Sequence, residues 1–280
     1  MNRSVGRGPK PGDARVTAML ADAEPAPFWL HRDDVPLPGE APLRGRHRAD
    51  LVIVGAGFTG LWAAHQALDD DPGRDVLVLD ASGSGDGASG RNGGFCDASV
   101  THGMPNGMAH WPDEYHVLHR LGVENLDGLL GDLERHGIDA RWEAVGELDV
   151  ANADWQLGDL YDGVQALETA GERVTVLDRA AVQAEVASPT FVGGLWRHDN
   201  VGLVDPGRLV AGLRASLLAR GGRIADHSPV DALERNPSGV AAGGPGLRID
   251  AAKVLLATNA FPGLVPAIRH RVVPVYDHVL

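Results

Sequence analysis

The sequence is poor in the features that mark secreted and membrane proteins. Its 280 residues include one cysteine, Cys96, which excludes a disulfide-stabilised fold and favours a reducing setting. No apolar run reaches the roughly 18 residues that a membrane-spanning helix needs, and the N-terminus has no apolar segment typical of a secretory signal. We therefore expect a cytoplasmic protein with no membrane partner.

Positive charge is scarce as well. Lys and Arg together number 25 against 38 Asp and Glu, which gives a formal net charge of −13. Such a chain repels phosphate backbones, so we expect no nucleic-acid partner. We also expect no metal site, because His116 and His119 lie one helical turn apart without a cysteine or an acidic cluster beside them.

From Asp50 onward the sequence has a strand–helix–strand pattern. The apolar run 51–54 predicts a short buried strand, residues 58–68 have helical spacing, and the run 76–79 predicts a second buried strand. Together they form a βαβ unit, which joins neighbouring strands of a parallel sheet. Residues 1–49, with five prolines between positions 25 and 42, are expected to form a tail and an extended leader.

Further elements follow along the chain. We predict helices over 115–136, 155–170, 179–186 and 206–220, and strands over 146–150, 194–197, 223–225 and 254–257. Asp205 and Pro206 mark the start of the last helix, as a capping residue and a first-turn proline. A small antiparallel element is expected between 247–249 and 230–233.

A glycine motif joins the first strand to the first helix. It consists of Gly55, Ala56, Gly57, Phe58, Thr59 and Gly60, and Asp80 follows at the end of the second strand. Gly55 permits the tight turn, Gly57 lets the backbone approach a pyrophosphate at the helix N-terminus, and Gly60 lets the helix pack close to the strand. Asp80 is expected to accept a hydrogen bond from the adenosine ribose. The alternative for Asp80 is a carboxylate that caps the turn over 82–85.

The glycine motif does not separate NAD from FAD, since both dinucleotides use this fold element. The next segment, 87–95, is rich in glycine, and Ser89 and Arg91 can bind phosphate oxygens while Asn92 can bind a ring heteroatom. Gly93 and Gly94 let the backbone approach a flat ring system. The alternative is a flexible glycine-rich loop.

This segment carries a family resemblance. It is similar to the segment after the second strand in glycine oxidase, sarcosine oxidase and γ-glutamylputrescine oxidase, and it matches the last of these best. These flavoenzymes belong to the D-amino acid oxidase superfamily, so the resemblance implies FAD as the cofactor. Segments 28–30, 205–210 and 254–260 also resemble family landmarks, in the family's order.

The resemblance implies further cofactor contacts. Ala257, Thr258 and Asn259 are similar to the second flavin-contacting turn, Val230 lies where the family offers main-chain bonds to adenine, and Ala81 lies beside Asp80. No attachment motif for a covalent flavin is present, and Cys96 is expected to be a small buried residue. The resemblance assigns no catalytic residue.

The implied fold is α/β, with an FAD-binding Rossmann-like (GR2-type) domain interleaved with an incomplete α+β substrate domain. The FAD-binding parts are expected at 50–145 and 204–262, and the substrate-domain parts at 146–203 and 263–280. The implied reaction oxidises the C–N bond of an amine or amino acid, with O2 or another acceptor taking the electrons and O2 giving H2O2.

Two other functions stay open. Because the chain stops soon after segment 271–275, which resembles the entry to the second part of the substrate domain, it is alternatively a non-catalytic nucleotide-binding remnant. An NAD-dependent dehydrogenase is the third candidate, although the sequence has no second Rossmann motif for a nicotinamide half-site.

Overall fold

The computed structural model describes residues 18, 21, 22, 26–237, 239–273 and 275. The first part of the tail and leader predicted over 1–49 lies outside these residues, and so do residues 274 and 276–280 of the last predicted substrate-domain segment. None of the helices within the described part is long and apolar enough to cross a membrane.

Eleven strands and seven helices are described. The strands are β1 Gly45–Val54, β2 Val76–Leu79, β3 Phe95–Asp97, β4 Glu147–Ala151, β5 Val174–Asp178, β6 Gly193–Arg197, β7 Val201–Leu203, β8 Arg223–Ala225, β9 Ala232–Asn236, β10 Gly239–Gly244 and β11 Leu247–Leu256. The helices are α1 Phe58–Asp70, α2 Met104–His110, α3 Tyr115–Arg135, α4 Gln156–Asp162, α5 Val164–Thr169, α6 Arg179–Glu185 and α7 Pro206–Ala219. Short 3-10 turns lie at Phe28–Leu30, Ala88–Gly90 and Pro262–Leu264.

The largest sheet has six strands in the order β8-β2-β1-β11-β10-β9. The first four are mutually parallel, and β10 and β9 extend the sheet in antiparallel fashion. Successive residues of a strand face opposite sides, and both sides are buried here. Ile53 and Val78 therefore pack with the core on the side of α1 and α7, while Val52 and Leu77 belong to the core on the other face.

Helices α1 and α7 cover one face of this sheet through fully buried leucines, among them Leu61, Leu213 and Leu217. The predicted start of α7 is confirmed. Asp205 Oδ1 accepts a hydrogen bond from the backbone nitrogen of Arg208 at 3.0 Å, and Pro206 occupies the first turn, where its missing N–H is not needed.

A second sheet has three antiparallel strands in the order β4-β6-β5, and β3 pairs with β7 in a separate two-stranded ribbon. The three-stranded sheet uses residues 147–197 alone, which lie inside the segment predicted for the substrate domain. The boundaries of the two domains stay a prediction.

Four element predictions were wrong. The strand expected over 254–257 is the end of one continuous strand, β11, which begins at Leu247. The helix expected over 155–170 is two helices, α4 and α5, which are separated at Gly163; glycine disfavours a continuous helix because it loses more backbone entropy than other residues. The first strand begins at Gly45 rather than near 51, since residues 45–49 pair with the start of β11. The antiparallel partner of β11 is β10, and the expected partner segment 230–233 overlaps β9.

Candidate functional site

The predicted motifs meet where β1, β2 and β11 end. Gly55 N donates a hydrogen bond to Leu79 O at 2.7 Å, and Ala257 N donates to Val54 O at 2.8 Å. Gly55 has a φ of +110°, and a Cβ there would lie 3.0 Å from the carbonyl carbon of Ala257 and closer still to its oxygen. Only glycine fits this turn. Gly55 and Ala257 therefore lie side by side, although they are 202 positions apart in the sequence.

The N-terminus of α1 presents backbone amides at this edge. The Phe58 amide donates to Ser89 Oγ at 2.9 Å, whereas the amides of Gly57 and Thr59 have no hydrogen-bond partner within the described part of the chain. A Cβ at Gly57 would lie 2.9 Å from Ser89 Oγ, so the absence of a side chain lets Ser89 lie close to the helix N-terminus. Unpartnered amides at a helix N-terminus, together with the helix dipole, attract an anion such as a pyrophosphate.

Asp80 is half-buried beside the glycine motif. Its Oδ2 accepts a hydrogen bond from Ala56 N at 2.7 Å, and its Oδ1 accepts one from Ser82 N at 2.9 Å. Burial raises the pKa of Asp80, and these two backbone bonds oppose the shift in part. The Ser82 bond is the turn cap that was the alternative interpretation, but a carboxylate has about four acceptor positions and two are left for a ribose hydroxyl. Ala81, the next residue, is exposed.

The glycine-rich segment is held by hydrogen bonds within the loop. Asn92 Nδ2 donates to Ser89 O at 2.8 Å, and Asn92 Oδ1 accepts from Gly94 N at 2.9 Å, so both ends of this side chain fold the loop. Arg91 Nε donates to Asp86 O at 2.8 Å. The structure thus shows contacts within the loop for Arg91 and Asn92, and their direct contact with a phosphate or a flavin ring stays a prediction.

Val230 and the turn after β11 complete the predicted set. Ser228 N donates to Asp80 O at 2.7 Å, which brings the segment before Val230 to the end of β2. The Val230 backbone N–H and C=O have no partner among the residues described, and its half-buried side chain packs on the sheet core. Asn259 has a positive φ of 45°, and Thr258 O accepts a hydrogen bond from Phe261 N at 2.9 Å, which closes the turn.

A charge cluster that the sequence did not reveal lies around Arg197, in which Arg197 and Glu172 are buried. Its Nη2 pairs with Asp97 Oδ2 at 2.7 Å and also with Glu147, while its Nη1 lies 3.6 Å from Glu172 Oε2. Burial, the largest single influence, lowers the pKa of Arg197, but the carboxylates more than compensate and the net shift is upward. Burial raises the pKa of Glu172, whose side chain is 4% exposed. These residues are far apart in sequence and share no motif.

Family membership follows from comparison with known proteins. Residues 50–280 match the family described as FAD dependent oxidoreductase (DAO). The chain belongs to the DAO family. The resemblance inferred from the glycine motif and the loop over 87–95 is thereby confirmed, and FAD is the cofactor of the family.

This DAO-family chain is similar to named proteins over most of its own length. It is 31% identical over 236 residues to gamma-glutamylputrescine oxidoreductase from Escherichia coli strain K12, a match that covers 82% of this chain and 54% of that protein. It is 27% identical over 259 residues to the probable oxidoreductase OrdL from Haemophilus influenzae, covering 85% of this chain and 56% of that protein. The chain spans about half the length of the curated relatives it matches.

Solved structures share its fold. Glycine oxidase from Geobacillus kaustophilus aligns with a TM-score of 0.63 at 22% identity, over 79% of this chain and 58% of that one. L-amino acid deaminase from Proteus vulgaris aligns with a TM-score of 0.62 at 17% identity, over 81% of this chain and 51% of that one. These likenesses confirm the predicted α/β fold of the DAO-family chain.

The residues at the sheet edge fit FAD chemically. The amides of Gly57 and Thr59 provide donors for a pyrophosphate, and Asp80 provides acceptor positions for a ribose hydroxyl. The Val230 backbone offers one donor and one acceptor, the pairing groups that an adenine edge needs. No group of His, Cys, Asp and Glu side chains in the described ranges is arranged to hold a metal ion.

Proposed function

We propose that this DAO-family chain binds FAD at the carboxyl edge of its parallel sheet and serves the oxidation of the C–N bond of an amine or amino acid. The observation that carries the proposal is the pair of unpartnered amides, Gly57 and Thr59, at the N-terminus of α1 in a chain of an FAD-dependent family. When bound, FAD supplies the two-electron redox chemistry.

The chain's own residues have distinct roles in this proposal. The pyrophosphate binds at the N-terminus of α1, where the Ser89 hydroxyl and the Gly57 and Thr59 amides hold its oxygens. Asp80 holds the adenosine ribose, and the Val230 main chain holds adenine. The proposal takes further contacts from the remaining predicted positions: Gly55, Ala56, Phe58, Gly60, Ala81, Arg91, Asn92, Gly93, Gly94, Ala257, Thr258 and Asn259.

The proposed reaction converts an amine and O2 into an imine and H2O2, after which water converts the imine into a carbonyl compound and ammonia. Two relatives favour a nitrogen-bearing substrate: the Escherichia coli protein is named for γ-glutamylputrescine, an amine, and the Geobacillus kaustophilus structure for glycine, an amino acid. The proposal includes O2 as the electron acceptor and a cytoplasmic location.

A visible absorption spectrum tests the cofactor. The 280-residue chain is mixed with FAD, desalted and measured beside a longer chain that continues into any downstream reading frame. Retained flavin peaks support the proposal, and candidate amines and amino acids are then screened in air for H2O2. Flavin retained by the longer chain alone would assign the 280-residue chain to the remnant, and flavin retained by neither would overturn the proposal. A change in NADH absorbance would instead indicate a dehydrogenase.

A matched pair of glycine variants locates the site. Gly57→Val fills the space beside Ser89 Oγ and is expected to abolish flavin retention. Gly128→Val is the control, because Gly128 is exposed on α3 and a Cβ there has no neighbour within 4 Å among the described residues. Equal retention by the two variants would contradict the placement of the pyrophosphate at α1.

A further inference from the structure

Segment 28–30 and Val204, the residue before segment 205–210, make no proposed contact with the cofactor, yet both hold the loop over 87–94. Trp29 Nε1 donates a hydrogen bond to the backbone oxygen of Asn92 at 2.8 Å. On the other side, Val204 N donates to the backbone oxygen of Gly94 at 2.9 Å. The loop is therefore fixed at two carbonyl groups that lie two residues apart.

Trp29 is itself held against the start of α7. A Cβ at Gly207 would lie 3.2 Å from the Cβ of Trp29 and closer still to its carbonyl group, so the helix and the leader are in close contact. Arg32 Nη1 pairs with Asp205 Oδ2 at 2.7 Å, and the Asp205 side chain is 6% exposed and caps α7. The Arg32 guanidinium carbon also lies 5.7 Å from the centre of the Trp29 ring.

The leader also packs directly on the loop. A Cβ at Gly90 would lie 2.7 Å from Leu30 Cδ1, so the loop backbone and the leader are in close contact at this position. Ser89 precedes Gly90 and bonds the first amide of α1. A continuous set of contacts thus runs from Trp29 and Leu30 through the loop to the helix N-terminus proposed for the pyrophosphate.

We propose that Trp29 is a positioning residue for the cofactor, which fixes the carbonyl of Asn92 and so sets the loop over 87–94 before FAD binds. The inference rests on the proposed function, because it concerns the same loop. A glycine-rich loop loses much conformational entropy when it is ordered, and a loop ordered in advance binds its ligand more tightly. An indole suits this role because it is rigid and has a single N–H donor.

Trp29→Phe tests the inference, since it keeps an aromatic ring and removes the donor. The first readout needs no cofactor: trypsin cleaves between Arg91 and Asn92, and mass spectrometry follows the rate of that cut. The second readout is the dissociation constant of FAD from flavin fluorescence. We expect both to rise about fivefold, the effect of one lost neutral hydrogen bond. Trp155→Phe is the control, because Trp155 is 75% exposed and its indole makes no hydrogen bond to the described residues; it should change neither readout.

Gly207→Ala is a second route to the same result. Its new methyl group pushes the Trp29 backbone away from α7 without altering the indole or the loop, so both readouts should again rise. Circular dichroism shows whether Trp29→Phe folds. If it does not fold, Gly207→Ala provides the test. Wild-type values in the folded variants, in a chain that binds FAD, would overturn the inference and leave the proposed function intact. Failure of the wild-type chain to bind FAD would instead overturn the proposed function.

Discussion

The hydroxyl oxygen of Ser89 lies 2.9 Å from the backbone nitrogen of Phe58 and accepts its hydrogen. This bond ties the glycine-rich loop to the first turn of α1, although Ser89 and Phe58 are 31 residues apart. Because an N-terminal amide of a helix has no partner within the helix, an acceptor from elsewhere both satisfies it and fixes where the helix begins. The two predicted parts of the phosphate site are therefore a single structural unit.

Ser89→Ala tests that unit. Removing the acceptor leaves the Phe58 amide without a partner, and we expect the free energy of unfolding to fall by about 1 kcal/mol, with weaker FAD retention. Urea unfolding and flavin absorbance measure the two effects. The control is Ser188→Ala, because the Ser188 hydroxyl forms a solvent-exposed hydrogen bond with the Thr190 hydroxyl at 2.9 Å, away from the sheet edge. If the two variants behave alike, Ser89 has no special role in joining loop and helix.

Gly60→Ala should be strongly destabilising. A Cβ at Gly60 would overlap the carbonyl oxygen of Gly55 and lie 3.3 Å from Ile53 Cγ2, so α1 would have to move away from β1. We expect a loss of about 3 kcal/mol in thermal or urea unfolding. Gly131→Ala on α3 is the matched control, because a Cβ there would have no neighbour within 4 Å among the described residues. This variant should raise the free energy of unfolding by up to about 1 kcal/mol. A small effect at Gly60 would show that helix and strand are not in contact there.

The buried pair of Arg214 and Asp226 predicts a non-additive pair of substitutions. Arg214 Nη1 lies 3.1 Å from Asp226 Oδ2, and both side chains are at most 3% exposed. Arg214→Met leaves a buried carboxylate without its cation, so we expect a loss of about 3 kcal/mol. Adding Asp226→Asn should recover part of that loss, which urea unfolding of the single and double variants measures.

An exposed pair provides the comparison for this experiment. Arg173 pairs with Asp199 at 2.5 Å, but the Arg173 side chain is 75% exposed. Solvent screens such a pair, so Arg173→Met should leave the free energy of unfolding nearly unchanged. Additive losses in the double variant of Arg214 and Asp226 would show that the two buried groups do not depend on each other.

Glu172 predicts a pH-dependent stability. Burial raises its pKa above the ordinary value of 4.5, with the Arg197 guanidinium acting in the opposite direction. The unfolded chain therefore releases this proton at a lower pH than the folded chain does, and stability is lost as the pH rises from 4.5 through the folded pKa. Urea unfolding of the wild type and Glu172→Gln across this range should show the variant gaining relative stability with pH. If the free energies of unfolding of the wild type and Glu172→Gln changed with pH in parallel, the prediction would be contradicted. Glu168→Gln is the control, because Glu168 is exposed.

The sequence by itself determined the local features of this protein. The helix at 58–68 and the second strand at 76–79 were predicted close to their observed bounds, because helical spacing marks a helix and a short continuous apolar run marks a buried strand. The first strand was predicted with its observed end at Val54, but its start at Gly45 was missed. The cap at Asp205 was also readable, since a capping side chain acts within three residues of its own position. Gly55 and Gly60 could be assigned from the motif that surrounds them.

Only the tertiary structure decided which distant residues meet. Ala257 reaches Gly55 because β11 pairs with β1 rather than with a neighbour in sequence, and Trp29 reaches Asn92 because the leader packs on α7. The carboxylates around Arg197 lie up to 100 residues from it along the chain. Such contacts depend on the path of the whole backbone, and local residue patterns contain no information on that path.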